Sequence, residues 1–153
     1  MSSRWHEQYY RVKRWIARLT TFGVTVDENL VDDCYCFFTC CLHLKDWVKN
    51  DRTDMANAVE NLVNTNQWLM ICADVANGSK HLKLNRWRID AEAHLEKETF
   101  SFDTAGFHED AFLSRDIIMI SVSGTQWNAI EVAKMCVAAW DSFLATRGLL
   151  PPS

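Results

Sequence analysis

Leu30-Val31-Asp32-Asp33-Cys34-Tyr35-Cys36-Phe37-Phe38-Thr39-Cys40-Cys41-Leu42-His43-Leu44-Lys45-Asp46-Trp47-Val48 reads as one long helix around which the other elements must gather. Its apolar residues Leu30, Val31, Cys34, Tyr35, Phe37, Phe38, Leu42, Leu44 and Val48 point in almost every direction around a helical wheel, the mark of a central element covered on most sides. Thr25-Val26-Asp27-Glu28 has the form of a capping box, so this helix is expected from about Asp27 to Asn50. One narrow sector is polar. Asp32, Thr39, His43 and Asp46 fall within about 60° of one another, a strip of hydrogen-bonding groups on an otherwise apolar cylinder.

Upstream, Ser2 and Ser3 are positioned to cap a helix from about Arg4 to Phe22, ended by Gly23. Trp5, Tyr9, Val12, Ile16 and Leu19 repeat at three and four residues and form one buried stripe. The opposite face is basic, with Arg11, Arg14 and Arg18 on one side and Arg4 and Lys13 nearby. Downstream, Thr53 can cap a helix from about Asp54 to Asn64, with Met55, Val59, Leu62 and Val63 inward. A short break at Thr65-Asn66 leads into a fourth helix, from about Gln67 to Leu82. After a mixed polar segment, a strand at Thr99 to Phe102 is expected to pair with the β-rich run Asp116 to Val122 as an antiparallel ribbon. Asn128-Ala129-Ile130-Glu131 then opens a last helix reaching about Arg147, with Ile130, Ala133, Val137, Trp140 and Leu144 facing the core.

The predicted fold class is therefore mainly α, a helical bundle of four to five helices with a small antiparallel β-ribbon before the last helix. Residues 1–153 form a single domain on length, large enough to bury one core. With 48% hydrophobic residues and only 5 Gly and 2 Pro, the composition suits a helical globular chain. Of the 7 Trp, Trp5, Trp15, Trp47, Trp68 and Trp140 recur inside the helical patterns, which favours core or interface packing for them.

A net charge of −4 argues against a grip on nucleic acid by the whole molecule, but not against local anion binding at the arginine face. No apolar run approaches the roughly 20 residues of a membrane span. The first residues are polar and charged rather than those of a secretory leader, so the expectation is a cytoplasmic protein whose 6 Cys stay reduced.

The chemically dense segment is Cys72-Ala73-Asp74-Val75-Ala76-Asn77-Gly78-Ser79-Lys80-His81. On an ideal helix Asp74, Asn77 and His81 share one side, while Trp68, Leu69, Cys72, Val75 and Ala76 share the other. A histidine with a nearby carboxylate can transfer protons, so His81 and Asp74 are the candidate catalytic pair. A hydrogen-bonded polar cluster fixing the helix end explains the same residues. If the two central helices pack together, His43 and Asp46 are expected to meet this group and line a pocket for a nucleotide or another polar small molecule. Cys36, Cys40, His43 and Cys72 are candidate metal ligands, but their spacing is unlike a zinc knuckle, and small buried core residues are the preferred reading. Neither a metal nor a cofactor is expected. Phosphate-binding glycine loops, nucleophile elbows and His-Glu-x-x-His sequences are absent, which removes the common NTPase, α/β-hydrolase and zincin classes.

The segments His43-Leu44-Lys45-Asp46-Trp47 and Ala73 to His81, with the Ala129-Ile130-Glu131-Val132-Ala133 helix, resemble a widespread group of prokaryotic and phage helical proteins that carries no established activity. More distantly, a helical bundle whose key helix ends in a polar motif is similar to the HEPN superfamily. Its active members are metal-independent ribonucleases or nucleotidyl-modification partners in defence systems. Their signature is Arg, a polar residue, three residues, then His, usually completed across a dimer. Asn77 and His81 match the second half, but Ala76 stands where the Arg belongs. The resemblance implies a homodimeric protein of prokaryote and phage conflict that engages RNA or a nucleotide. In it His81 is the general acid or base, Asp74 orients it, Asn77 and Lys80 hold phosphate, and Arg86 or Arg88 adds charge. The alternative is a non-catalytic protein that sequesters a small polar ligand or a partner protein, which Ala76 and the acidic net charge favour.

Overall fold

The computed structural model describes residues 3–21, 29–78, 94–103, 112–122 and 124–151. Within them lie five α-helices, α1 (Trp5–Thr21), α2 (Leu30–Asp51), α3 (Ala56–Thr65), α4 (Gln67–Gly78) and α5 (Ala129–Ala145), and three strands, β1 (His94–Asp103), β2 (Phe112–Val122) and β3 (Thr125–Asn128). The mainly helical architecture with a small antiparallel sheet before the last helix is as the sequence reading expects. The third strand was not expected. Gly124, at φ 77°, sits in the two-residue connection that turns β2 back into β3, a left-handed conformation that glycine adopts without steric cost.

α2 is the hub, packing against α1, α3, α4 and α5 and touching β1. Cys34, Phe37, Phe38, Cys41, Leu44 and Val48 on its inner side are at most 1% exposed. The core closes around them with Trp5, Val12 and Leu19 of α1, Val59 and Val63 of α3, Cys72 and Val75 of α4, and Cys136, Trp140 and Leu144 of α5. The sheet runs in the order β1-β2-β3 and lays one face on this core. Ile118, Ile120 and Val122 are buried while Ile117, Met119 and Ser121 between them are half-exposed, the two-residue alternation of a strand with one face covered. Trp127 of β3, paired with Ile120, packs edge-on against Trp68 at 5.2 Å and ties the sheet to α4.

The starts of α1 and α3 differ from their expected caps, and the capping box expected at Thr25-Val26-Asp27-Glu28 lies outside the described residues. The Trp5 amide donates to the Asp51 carboxylate at 3.3 Å, so the far end of α2 serves the start of α1; Ser3 contributes its backbone carbonyl, and Ser2 lies outside the described residues. Thr53 is not a cap. It opens a 3-10 turn, Thr53–Met55, that leads directly into α3. Asn66 does the work at α4, its side-chain oxygen accepting from the amides of Trp68 and Leu69. At α5 the expected start is present: the Asn128 side chain accepts from Ile130 and Glu131, while Glu131 itself pairs with Lys134.

α1 and α5 are clamped by Asp141, which accepts from the Tyr9 hydroxyl and from Lys13, both at 2.8 Å. Burial, and then the Asp141 carboxylate, hold the Tyr9 phenol above its ordinary range. Gln8, buried at 1% exposure, is satisfied by donating to the Cys40 carbonyl at 2.7 Å and accepting from Arg11. No helix among the described residues is long and apolar enough to cross a membrane.

Candidate functional site

Three arginines seven residues apart, Arg4, Arg11 and Arg18, recur at nearly the same angle on α1 and just ahead of it, because seven residues are almost two helical turns. Arg14 stands about 60° to one side. Arg11, Arg14, Trp15 and Arg18 line one shallow depression, and Arg4, Trp47, Asn50 and Asp51 line a second at the other end of the α1–α2 seam. Arg11 links the two, its guanidinium lying 5.7 Å from the Trp47 ring centre. Arg18 lies 5.5 Å from the Trp15 ring and pairs with Asp33 of α2 at 2.9 Å. Arg14 is exposed and makes no ion pair among the described residues. The seam therefore joins fixed guanidinium groups to two indole faces, the chemistry that grips phosphate and stacks on a base.

The polar strip of α2 borders this seam. Asp32, Thr39, His43 and Asp46 lie within about 40° of the direction opposite Cys41, so they form the outward face of the helix. Asp32 and Asp46 are exposed, Thr39 and His43 half-exposed. Cys36, Cys40, His43 and Trp47 form the stripe next to it, on the side toward α1. Burial raises the Cys40 thiol pKa, an effect that the Arg11 charge opposes.

The segment at the end of α4 is arranged otherwise than expected. α2 and α4 do pack together, but the Cys72 thiol reaches the Phe38 carbonyl at 3.4 Å, so the meeting faces are those of Phe38, Cys41 and Cys72. His43 and Asp46 point away from that contact. The structure does not bring them to Asp74, which lies about 160° round α4 from Cys72. Asp74 is 1% exposed and engaged in interactions, while Asn77 is half-exposed. Residues 71–76 are buried all round because α2, α3, α5 and β1 surround this helix, so Asp74 on its expected polar side is covered too. Lys80, His81, Arg86 and Arg88 lie outside the described residues.

One cluster went unread in the sequence. Cys41 of α2, Cys72 of α4 and Cys136 of α5 converge with their sulfurs all within 4.8 Å of one another, each at most 1% exposed. The Cys136 thiol lies 3.3 Å from the Trp68 carbonyl. The neighbouring Cys136 and then Cys72 thiols favour the Cys41 thiolate against the cost of burial, which lowers the Cys41 thiol from its ordinary range. Burial drives Cys72 and Cys136 the other way, well above the usual thiol range. Each S–H carries one proton, so Cys72 and Cys136 serve either a carbonyl or the Cys41 sulfur at any moment. The signal available in the sequence was one cysteine on the inward stripe of each of three helices. Cys36 and Cys40, candidate partners of Cys72 on sequence grounds, instead flank the outer seam, and Cys36 is exposed.

No family model matches the chain, and neither a curated protein nor a solved structure matches it.

Proposed function

We propose that this protein is a non-catalytic binder of a nucleotide or a short single-stranded RNA, held along the α1–α2 seam. The observation that carries the reading is the placement of Arg11, Arg14 and Arg18 with Trp15 in one depression and of Trp47 beneath Arg11. Phosphates pair with the arginines, bases stack on the guanidinium planes of Arg11 and Arg18 that Trp47 and Trp15 back, and His43 on the adjoining stripe supplies a hydrogen bond. A local basic seam can do this on a chain whose net charge is −4, because charges beyond about 8–10 Å are largely screened at physiological salt.

The HEPN-like ribonuclease reading assigns the chemistry to His81 with Asp74 as its orienting carboxylate. The burial of Asp74 supports an orienting role for that residue over direct contact with a substrate. In that version Asn77 and Lys80 hold phosphate, Arg86 or Arg88 adds charge, and a homodimer completes the site.

Binding of a labelled oligouridylate by fluorescence anisotropy tests the seam. With three or four phosphates engaged, log K is expected to fall against log salt with a slope of about −2 to −3. Arg11→Glu and Arg14→Glu should each weaken binding about tenfold or more, the loss of one charge-assisted contact, while Lys134→Glu on α5 leaves it unchanged. Equal affinity in both arginine variants removes the seam from the function.

A further inference from the structure

We propose that Cys41, Cys72 and Cys136 form a three-sulfur site for one soft, closed-shell metal cation, Cu(I) in preference to Zn(II), seated where α2, α4 and α5 meet. Three ligands come from three separate helices and converge to within 4.8 Å. In a trigonal site with metal–sulfur bonds of about 2.3 Å the sulfurs stand about 4 Å apart, so the cluster needs to close by less than about 1 Å. Among the described residues no fourth His, Cys, Asp or Glu joins the group. Structural zinc takes four ligands, whereas soft thiolate donors also select Cu(I), which accepts three.

A second observation points into the same site. The Trp140 indole N–H is buried without a hydrogen-bond partner among the described residues and lies beside Cys41. A buried donor left unsatisfied loses its hydration without recompense. A metal-bound thiolate at Cys41 accepts it, giving Trp140 the role of an outer-shell donor that orients a ligand. The Phe38 and Trp68 carbonyls that now receive thiol protons belong to helical ladders, so ligation of Cys72 and Cys136 strands no acceptor. Each sulfur that binds as a thiolate releases a proton, and Cu(I) offsets one of the three negative charges so formed, leaving the bound site at −2 with the Trp140 N–H as a donor to it. The three sulfurs have almost no exposure, so loading accompanies folding, and the bound ion cross-links three helices on the inner side of α2.

The test is refolding of the full chain under anaerobic, reducing conditions with one equivalent of Cu(I) or of Zn(II), followed by desalting, native mass spectrometry and X-ray absorption. One Cu per chain with three sulfur neighbours at about 2.3 Å is expected, with Zn(II) retained at least tenfold less. Cys72→Ser should lose the ion, while Cys36→Ser and Cys40→Ser keep it. Should Cys72→Ser fail to fold, as judged by circular dichroism, the sulfur count in the unaltered protein decides alone. Loss of copper in Cys36→Ser or Cys40→Ser, nitrogen or oxygen neighbours, Zn(II) held in preference, or a folded protein that retains no ion overturns the proposal.

Discussion

Cys40 and Cys41 are neighbours in the chain and about 100° apart on α2, and that rotation separates two regions with opposite physics. On the Cys40 side, α1 and α2 leave a seam where arginines lie over indoles in contact with water. On the Cys41 side, three helices exclude water around three sulfurs. The same residue type is a half-exposed rim group in one place and a core group in the other. What sets the difference is the number of elements that cover each face.

The contrast breaks first on thiol chemistry. With intact protein, iodoacetamide should label Cys36 readily and Cys41, Cys72 and Cys136 at least about a thousandfold more slowly, since their reaction needs an opening that approaches global unfolding. Mass-mapped labelling with and without urea reads this directly, and fast native labelling of Cys72 would put water in the core. Packing gives the next effect. Phe38→Ala, at 0% exposure, is expected to cost about 3–5 kcal/mol in urea denaturation, whereas Arg14→Ala on the rim stays within about 0.5 kcal/mol.

Alkaline pH sharpens the comparison through the buried thiols. Burial, then the neighbouring Asp33 charge, pushes Cys34 up to about 12 from an ordinary 9.0, and Cys72 and Cys136 are raised in the same direction. These groups are held protonated in the folded state, so their contribution is complete below pH 9 and is lost as pH rises toward the folded values. The slope is about 1.4 kcal/mol per pH unit for each such thiol. Denaturation midpoints measured from pH 8 to 11 should fall accordingly, and Cys34→Ala should flatten the curve. The smallest effect is local. Asn128→Ala removes the acceptor for two amides at the start of α5 and should cost about 1 kcal/mol.

The elements were legible where periodicity was strong. The three-four rhythm of α1, the crowded wheel of α2 and the Asn128 start of α5 each carry their own signal. β3 was missed because four residues, Thr125–Asn128, are too few for alternation to show. The site was read less well, for a physical reason. A helical wheel gives the angle of a side chain but not what covers it, so Asp74 looked open on a helix that its neighbours enclose. The polar sector of His43 and Asp46 follows from the wheel, but its direction relative to α4 depends on packing. The trio of Cys41, Cys72 and Cys136 needs three helices in register, which no single stretch of sequence encodes.

The measurement that bears most directly on the seam is the indole N–H region of a nitrogen-edited NMR spectrum, recorded while a short oligouridylate is titrated in. Each of the 7 Trp contributes one signal there. The indoles of Trp15 and Trp47 should shift progressively while those of Trp5 and Trp140, both 1% exposed, stay in place. Shifts confined to Trp68 and Trp127, with Trp15 and Trp47 unmoved at saturation, would contradict binding along α1 and α2 and move the ligand to the α4 end of the molecule.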